Sequence, residues 1–126
     1  AANGESILES KAYVAPGGVH LLVARDGTTL LSNSAPVNYV RPSADLMMET
    51  AAEVFGPSVV GVILTGMGRD GAEGMARIKE KGGKTVVQDP STAVIPSMPQ
   101  AVIKKGSADK IVSLERVAAV VTGLLK

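Results

Sequence analysis

Residues 59–78 read VVGVILTGMGRDGAEGMARI, and this stretch decides the fold. Val59 to Thr65 form a continuous apolar run rich in β-branched residues, which predicts a central strand buried on both faces. The loop GMGRDG breaks the run. Ala72, Met75, Ala76 and Ile78 then line one side of a helix that stops at Gly82-Gly83. Outward toward the C-terminus the alternation continues. A strand is expected over residues 84–88, a short helix over 98–105 with Pro99 in its first turn and Gly106 ending it, and a strand over 110–112. A last helix is expected, capped by Ser113 and striped by Leu114, Val117, Ala118, Val121 and Leu125. Strand–helix–strand repeats of these lengths predict an α/β fold with a doubly wound parallel sheet and helices on both faces.

Toward the N-terminus, Ser43 is placed to cap a helix carrying Leu46, Met47, Ala51, Val54 and Phe55, with Asp45 in the first turn, where the helix dipole favours a negative charge. Gly56-Pro57 stops it. Before Pro42 the chain reads as short strands and turns. Residues 11–15 suggest a strand ended by Pro16-Gly17-Gly18, and Asp26-Gly27 between two apolar runs predicts a β-hairpin. The expected organisation is one domain over residues 1–126, with a hairpin region at 1–42 and an α/β region at 43–126.

Composition narrows the function classes. Lys plus Arg number 13 and Asp plus Glu 12, a net charge of +1 that gives no electrostatic footprint for nucleic acid. Phe55, Tyr13 and Tyr39 are the only aromatic residues, too few for a base-stacking platform. There is no cysteine, hence no disulfide and no thiolate metal site. No apolar run approaches the about 20 residues that span a bilayer. The first residues, AANGESILES, have neither the basic nor the apolar region of a signal peptide, and the missing initial Met fits a processed chain or a fragment.

In a parallel sheet, ligands sit beyond the carboxyl ends of the strands, so the loop after Thr65 is the first place to look for chemistry. Gly66, Gly68 and Gly71 spell G-x-G-x-x-G between a strand and a helix, and Asp89 lies 18 residues after Gly71, near the distance of a ribose-binding carboxylate. That is the dinucleotide reading. Asp70 opposes it, because a carboxylate inside the loop would repel a pyrophosphate. Asp70 has two other readings. It could orient a histidine in a hydrolytic triad, with loop amides serving an oxyanion, or it could simply cap the helix that starts after Gly71.

Three segments carry a resemblance. Residues 59–102, AYVAPGGVHL (12–21) and NYVRPSADLM (38–47) together resemble the chemotaxis protein-glutamate methylesterases of the CheB type, and the likeness runs from about Gly4 to about Val121. The resemblance implies a doubly wound α/β catalytic domain. It implies hydrolysis of γ-glutamyl methyl esters on the cytoplasmic helices of chemoreceptors, with release of methanol and in many members deamidation of glutamines. It implies a Ser-His-Asp triad whose aspartate matches Asp70. Met67 and Gly68 match the active-site loop, with the Met67 amide as oxyanion donor. No metal or organic cofactor, no nucleic-acid partner and no membrane insertion are implied, and the location is cytoplasmic.

The family's serine and first histidine have no matching positions in these residues. The expectation is therefore the C-terminal portion of a catalytic domain, inactive alone, with the triad completed by a preceding segment and an exposed sheet edge able to self-associate. A receptor-binding remnant without activity stays open beside it. His20 lies in a different family segment from the catalytic histidine and is expected to be structural, and Ser43 a helix cap. Arg41 and Arg69 could meet acidic receptor helices or be solvated surface residues.

Overall fold

The computed structural model describes residues 1–125. Two strands, β1 (His20–Val23) and β2 (Thr29–Ser32), pair antiparallel from His20 opposite Ser32 to Val23 opposite Thr29. The Gly27 N–H donates to Ala24 O (2.9 Å) and the Ala24 N–H to Thr28 O (2.8 Å). Gly27 has φ +80, so the turn is a three-residue loop with glycine in the left-handed position. The Asp26 carboxylate accepts from the Thr28 amide and hydroxyl and holds the turn closed. Residues 4–7, where no element is expected, run beside β2 through Gly4 N–H to Thr29 O and Thr29 N–H to Glu5 O, both 2.8 Å.

Helix α1 (Ala44–Phe55) follows and ends at Gly56. Strand β3 (Val60–Ile63), helix α2 (Ala72–Glu80), strand β4 (Lys84–Gln88), helix α3 (Ser97–Lys104), strand β5 (Lys110–Val112) and helix α4 (Val117–Leu124) complete the chain. The sheet is parallel, in the order β3-β4-β5, with Val60 opposite Lys84 and Val86 opposite Lys110.

The main core lies on one face of this sheet. Ile63 of β3 and Val87 of β4 meet Met75 and Ile78 of α2, Val102 of α3, and Met48 and Ala52 of α1. The pleat turns Val86 to the opposite face, where it is equally buried and where α4 packs on β4. Helices therefore cover both faces. Gly61 marks the closest approach of α2 to the sheet: a Cβ there would stand 2.6 Å from Met75 Sδ and 2.7 Å from Ile78 Cδ1. The hairpin packs on α1, which packs along α2. Among the described residues no helix is long and apolar enough to cross a membrane.

Three local expectations are corrected. The central strand is β4, buried from Thr85 to Gln88. β3 pairs on one side only, so Gly61 and Ile63 are buried while Val60 and Val62 stay half-exposed. An apolar run reports burial of side chains, not how many neighbours the strand has. Residues 11–15 are extended but make no ladder. Tyr13 uses its hydroxyl to bond Ser6 O and the Leu8 amide instead. The last helix begins at Val117 after a tight turn over Leu114–Arg116, and Ser113 makes no side-chain cap. Its inward stripe is Val117, Val120, Val121 and Leu124, whereas Leu114, Ala118 and Leu125 are exposed.

Candidate active site

The loop of residues 64–71 leaves the carboxyl end of β3 and turns into α2. Gly71, with φ +100, is the N-cap residue of α2, and a Cβ there would stand 2.5 Å from Ile63 Cδ1. Glycine is thus required twice over, by conformation and by space. The preceding residue, Asp70, turns away from α2. Its Oδ2 accepts the Ala44 N–H (2.6 Å), and its Oδ1 accepts the Ser43 hydroxyl (2.7 Å), an Asn38 amide hydrogen (3.0 Å) and, at 3.4 Å, the Asp45 N–H. Asp70 therefore caps α1, not the helix it precedes. Ser43 occupies the N-cap position of α1 with extended backbone, yet gives its hydroxyl to Asp70 instead of capping its own helix.

The α2 N-terminus is capped by Asp45, whose Oδ1 accepts the N–H groups of Gly71 (2.9 Å) and Gly74 (2.8 Å). Asp45 is 3% exposed. Among the described residues no lysine or arginine bonds either carboxylate. Their charge is met by the positive ends of two helices, by the Ser43 hydroxyl and by Asn38, which also donates to Asp45 Oδ2 at 2.7 Å.

His20 is completely buried behind this group. Its Nδ1 accepts the Ser43 N–H (3.1 Å), so the ring proton sits on Nε2 and is donated to Ala35 O (3.0 Å). Both ring nitrogens are engaged in holding the start of α1, in keeping with a structural histidine.

The loop itself is tied to the start of α3. The Gly66 N–H donates to Ile95 O (2.9 Å), and Ser97 Oγ donates to Gly66 O (3.0 Å) while accepting the Gly68 N–H (3.1 Å). Gln88, buried at the end of β4, accepts the Thr65 N–H (2.9 Å) and so extends the ladder by a side chain. Between these ties Met67 projects with 79% exposure. Its N–H has no partner among the described residues, whereas that of Gly68 is taken by Ser97. Arg69 is exposed, and Arg41 donates to the carbonyls of Asn33 and Ser34.

This arrangement removes the dinucleotide reading. The helix end that would face a pyrophosphate is already filled by the Asp45 carboxylate, and Gly66 lies against Met98 Sδ. Asp89 is turned onto its own loop, where the Ser91 amide and hydroxyl hold its carboxyl below the usual range. No cluster of His, Asp and Glu among the described residues has the grouping of a metal site. What the geometry offers is a fixed carboxylate at the sheet mouth beside a loop with an unpaired amide. Such a pair can orient an imidazole and receive an oxyanion.

The sequence reading missed Asn38 and Ser97 and gave Asp45 only a dipole role. Asn38 lies in the NYVRPSADLM segment, but nothing in its spacing announces a contact with a residue 32 positions away.

Residues 1–121 match the CheB methylesterase family. A protein-glutamate methylesterase/protein-glutamine glutaminase of Pyrococcus horikoshii is 50% identical over 120 residues, covering 93% of this chain and 33% of the relative. A putative enzyme of the same description from Leptospira interrogans is 48% identical over 114 residues, covering 90% of this chain and 59% of the relative. The crystal structure of the Thermotoga maritima CheB methylesterase catalytic domain superposes with a TM-score of 0.93 at 35% identity, covering 98% of this chain and 67% of that one. The chain thus spans about a third of the length of the Pyrococcus relative. By sequence and by fold, it belongs to the CheB methylesterase family.

Proposed function

We propose that this chain is the carboxylate-bearing portion of a protein-glutamate methylesterase that acts on the cytoplasmic helices of chemoreceptors. Residues 1–125 would form one catalytic unit with a segment that brings the nucleophilic serine and the histidine base. In the reaction, the histidine takes the serine proton as the oxygen attacks the glutamyl ester carbonyl. Asp70 holds the imidazole and stabilises the imidazolium. The Met67 N–H donates a hydrogen bond to the developing oxyanion. The histidine then protonates the departing methoxide oxygen, which leaves as methanol, and water attacks the acyl-serine by the same steps to release the glutamate and free the serine. Attack on a glutamine side chain by the same route would release ammonia.

One observation carries the reading. Asp70 is clamped beyond the end of β3, yet its Oδ2 accepts only the Ala44 N–H and keeps room for an imidazole N–H. Ser43 and His20 are unsuited as a nucleophile–base pair, because the Ser43 hydroxyl is bound to Asp70 and His20 is buried with both nitrogens engaged.

Methanol release from a methylated receptor tests this. The chain alone should be inactive, and the esterase completed by the segment bearing serine and histidine should lose activity by about ten-thousandfold on Asp70→Asn. Release of methanol by the chain alone, abolished by Asp70→Ala, would contradict the division of the triad. The unpaired edge of β3 would also let chains self-associate when that segment is absent. Sedimentation showing only monomer at high concentration would dismiss that part.

A further inference from the structure

Two carboxylates, Asp45 and Asp70, meet at the head of α1, and no cation among the described residues stands between them. What lies between them is the side-chain NH2 of Asn38, 2.7 Å from Asp45 Oδ2 and 3.0 Å from Asp70 Oδ1. We propose that Asn38 is a positioning residue for the triad carboxylate, using its NH2 as a bridge that fixes the plane of the Asp70 carboxylate and so the direction of the lone pair offered to the histidine base. The inference rests on the function proposed above.

The orientation of the amide follows from its neighbours. With nitrogen and oxygen exchanged, the Asn38 carbonyl would point its lone pairs at two carboxylates. Its two N–H bonds are therefore both committed, one to each acid. On Asp70 the effect is one-sided. Oδ1 receives Asn38, the Ser43 hydroxyl and the long contact from Asp45 N–H, which exhausts its lone pairs. Oδ2 receives the Ala44 N–H alone. The bridge fixes the carboxylate plane and leaves the less occupied oxygen for the base. Without it, partial rotation about the Cβ–Cγ bond of Asp70 would tilt that plane, and repulsion from Asp45 would favour moving Oδ1 away.

The backbone delivers Asn38 to this spot deliberately. Val37 and Val40 exchange hydrogen bonds in both directions at 3.0 Å, closing a two-residue turn. Asn38 and Tyr39 between them have φ +53 and +66, the mirror-image turn in which asparagine is favoured and tyrosine is uncommon. A turn that needed only to reverse the chain would be easier with glycine at the second position.

The test is steady-state kinetics over pH on the completed esterase carrying Asn38→Gly, which suits the turn but removes the bridge, and Asn38→Asp, which keeps the shape but removes the donor. Both should lower kcat by about tenfold or more, as loss of an outer-layer hydrogen-bond partner commonly does, with KM changed less than about twofold. In Asn38→Gly the acid limb of kcat/KM should move to lower pH, because a loosened Asp70 stabilises the imidazolium less. Wild-type kcat and an unmoved acid limb in variants that melt as folded proteins would overturn the proposal, as would losses matching the unfolded fraction. Asp70→Asn separates the two levels. If it retains activity, the triad reading fails; if it is inactive while Asn38→Gly is not, only the bridge fails.

Discussion

Asp45, in the first turn of α1, caps α2, and Asp70, one residue before the N-cap of α2, caps α1. The two acids exchange helices, so each helix end is neutralised by a charge belonging to the other. The crossing of α1 over α2 and the placement of the candidate catalytic carboxylate are consequently one feature. Asp45→Ala leaves the buried N–H groups of Gly71 and Gly74 without an acceptor. The expected loss is about 3 kcal/mol, read from the urea midpoint at constant slope. A midpoint that does not move refutes the exchange.

Gly74→Ala sets two effects against each other. Alanine in a helix interior is favoured by about 1 kcal/mol over glycine. Here, though, a Cβ would stand 2.6 Å from Met48 Cβ and 3.1 Å from the Asp45 Cα. Those atoms are close to or part of the α1 backbone and cannot swing aside, and such overpacking costs about 1–3 kcal/mol. The clash wins, and the variant should melt at a lower temperature than wild type. A higher melting temperature would mean that α1 and α2 are not this close.

Asp109 fastens the turn before β5 to β4, accepting the Thr85 N–H at 2.9 Å and pairing with Lys79 at 3.2 Å. Burial opposes its ionisation, but the Thr85 amide and the Lys79 ammonium outweigh burial and hold its carboxyl below its ordinary value of 3.8. A carboxyl depressed by folding stabilises at higher pH and loses that contribution as pH falls through its folded value. Asp109→Asn should cost about 1 kcal/mol at pH 7. The gap to wild type should begin to close near pH 3.8 and vanish below it, in denaturation followed across the acid range. A gap independent of pH would exclude the charge as its cause.

Glu49 has the opposite sign. Burial first, then the charges of Asp45 and Glu73, raise its carboxyl above its ordinary 4.5, with Arg77 opposing them. Its ionised form therefore weighs against the fold, increasingly as pH rises from the unfolded value to the folded one. Glu49→Gln should raise the melting temperature at pH 7 by about 2 °C and have no effect below pH 4.5. A lower melting temperature at pH 7 would show that the attraction of the Arg77 charge dominates instead.

The alternation of elements was legible because each carries its own period and its own punctuation. Asp26-Gly27 marked the hairpin, Gly56-Pro57 the end of α1 and Gly106 the end of α3. Asp70 was legible as the candidate residue of its loop, with its helix misassigned: spacing predicts a cap on the helix that follows, but the side chain reaches α1 across 26 residues. Partner choice between helices depends on their crossing, which no local pattern encodes. The same reason hid the central place of β4 and the bonds of Asn38 and Ser97.

The ties from Gly66 and Gly68 to Ile95 and Ser97 also bear on whatever meets the tip of that loop. Ordering a loose segment costs about 1–2 kcal/mol per residue when it happens on association. Here that loss of freedom was incurred when the domain folded. Met67 stands, 79% exposed, on backbone already fixed at both sides. Contact with it can be brief and weak in area, and still meet a surface that does not rearrange.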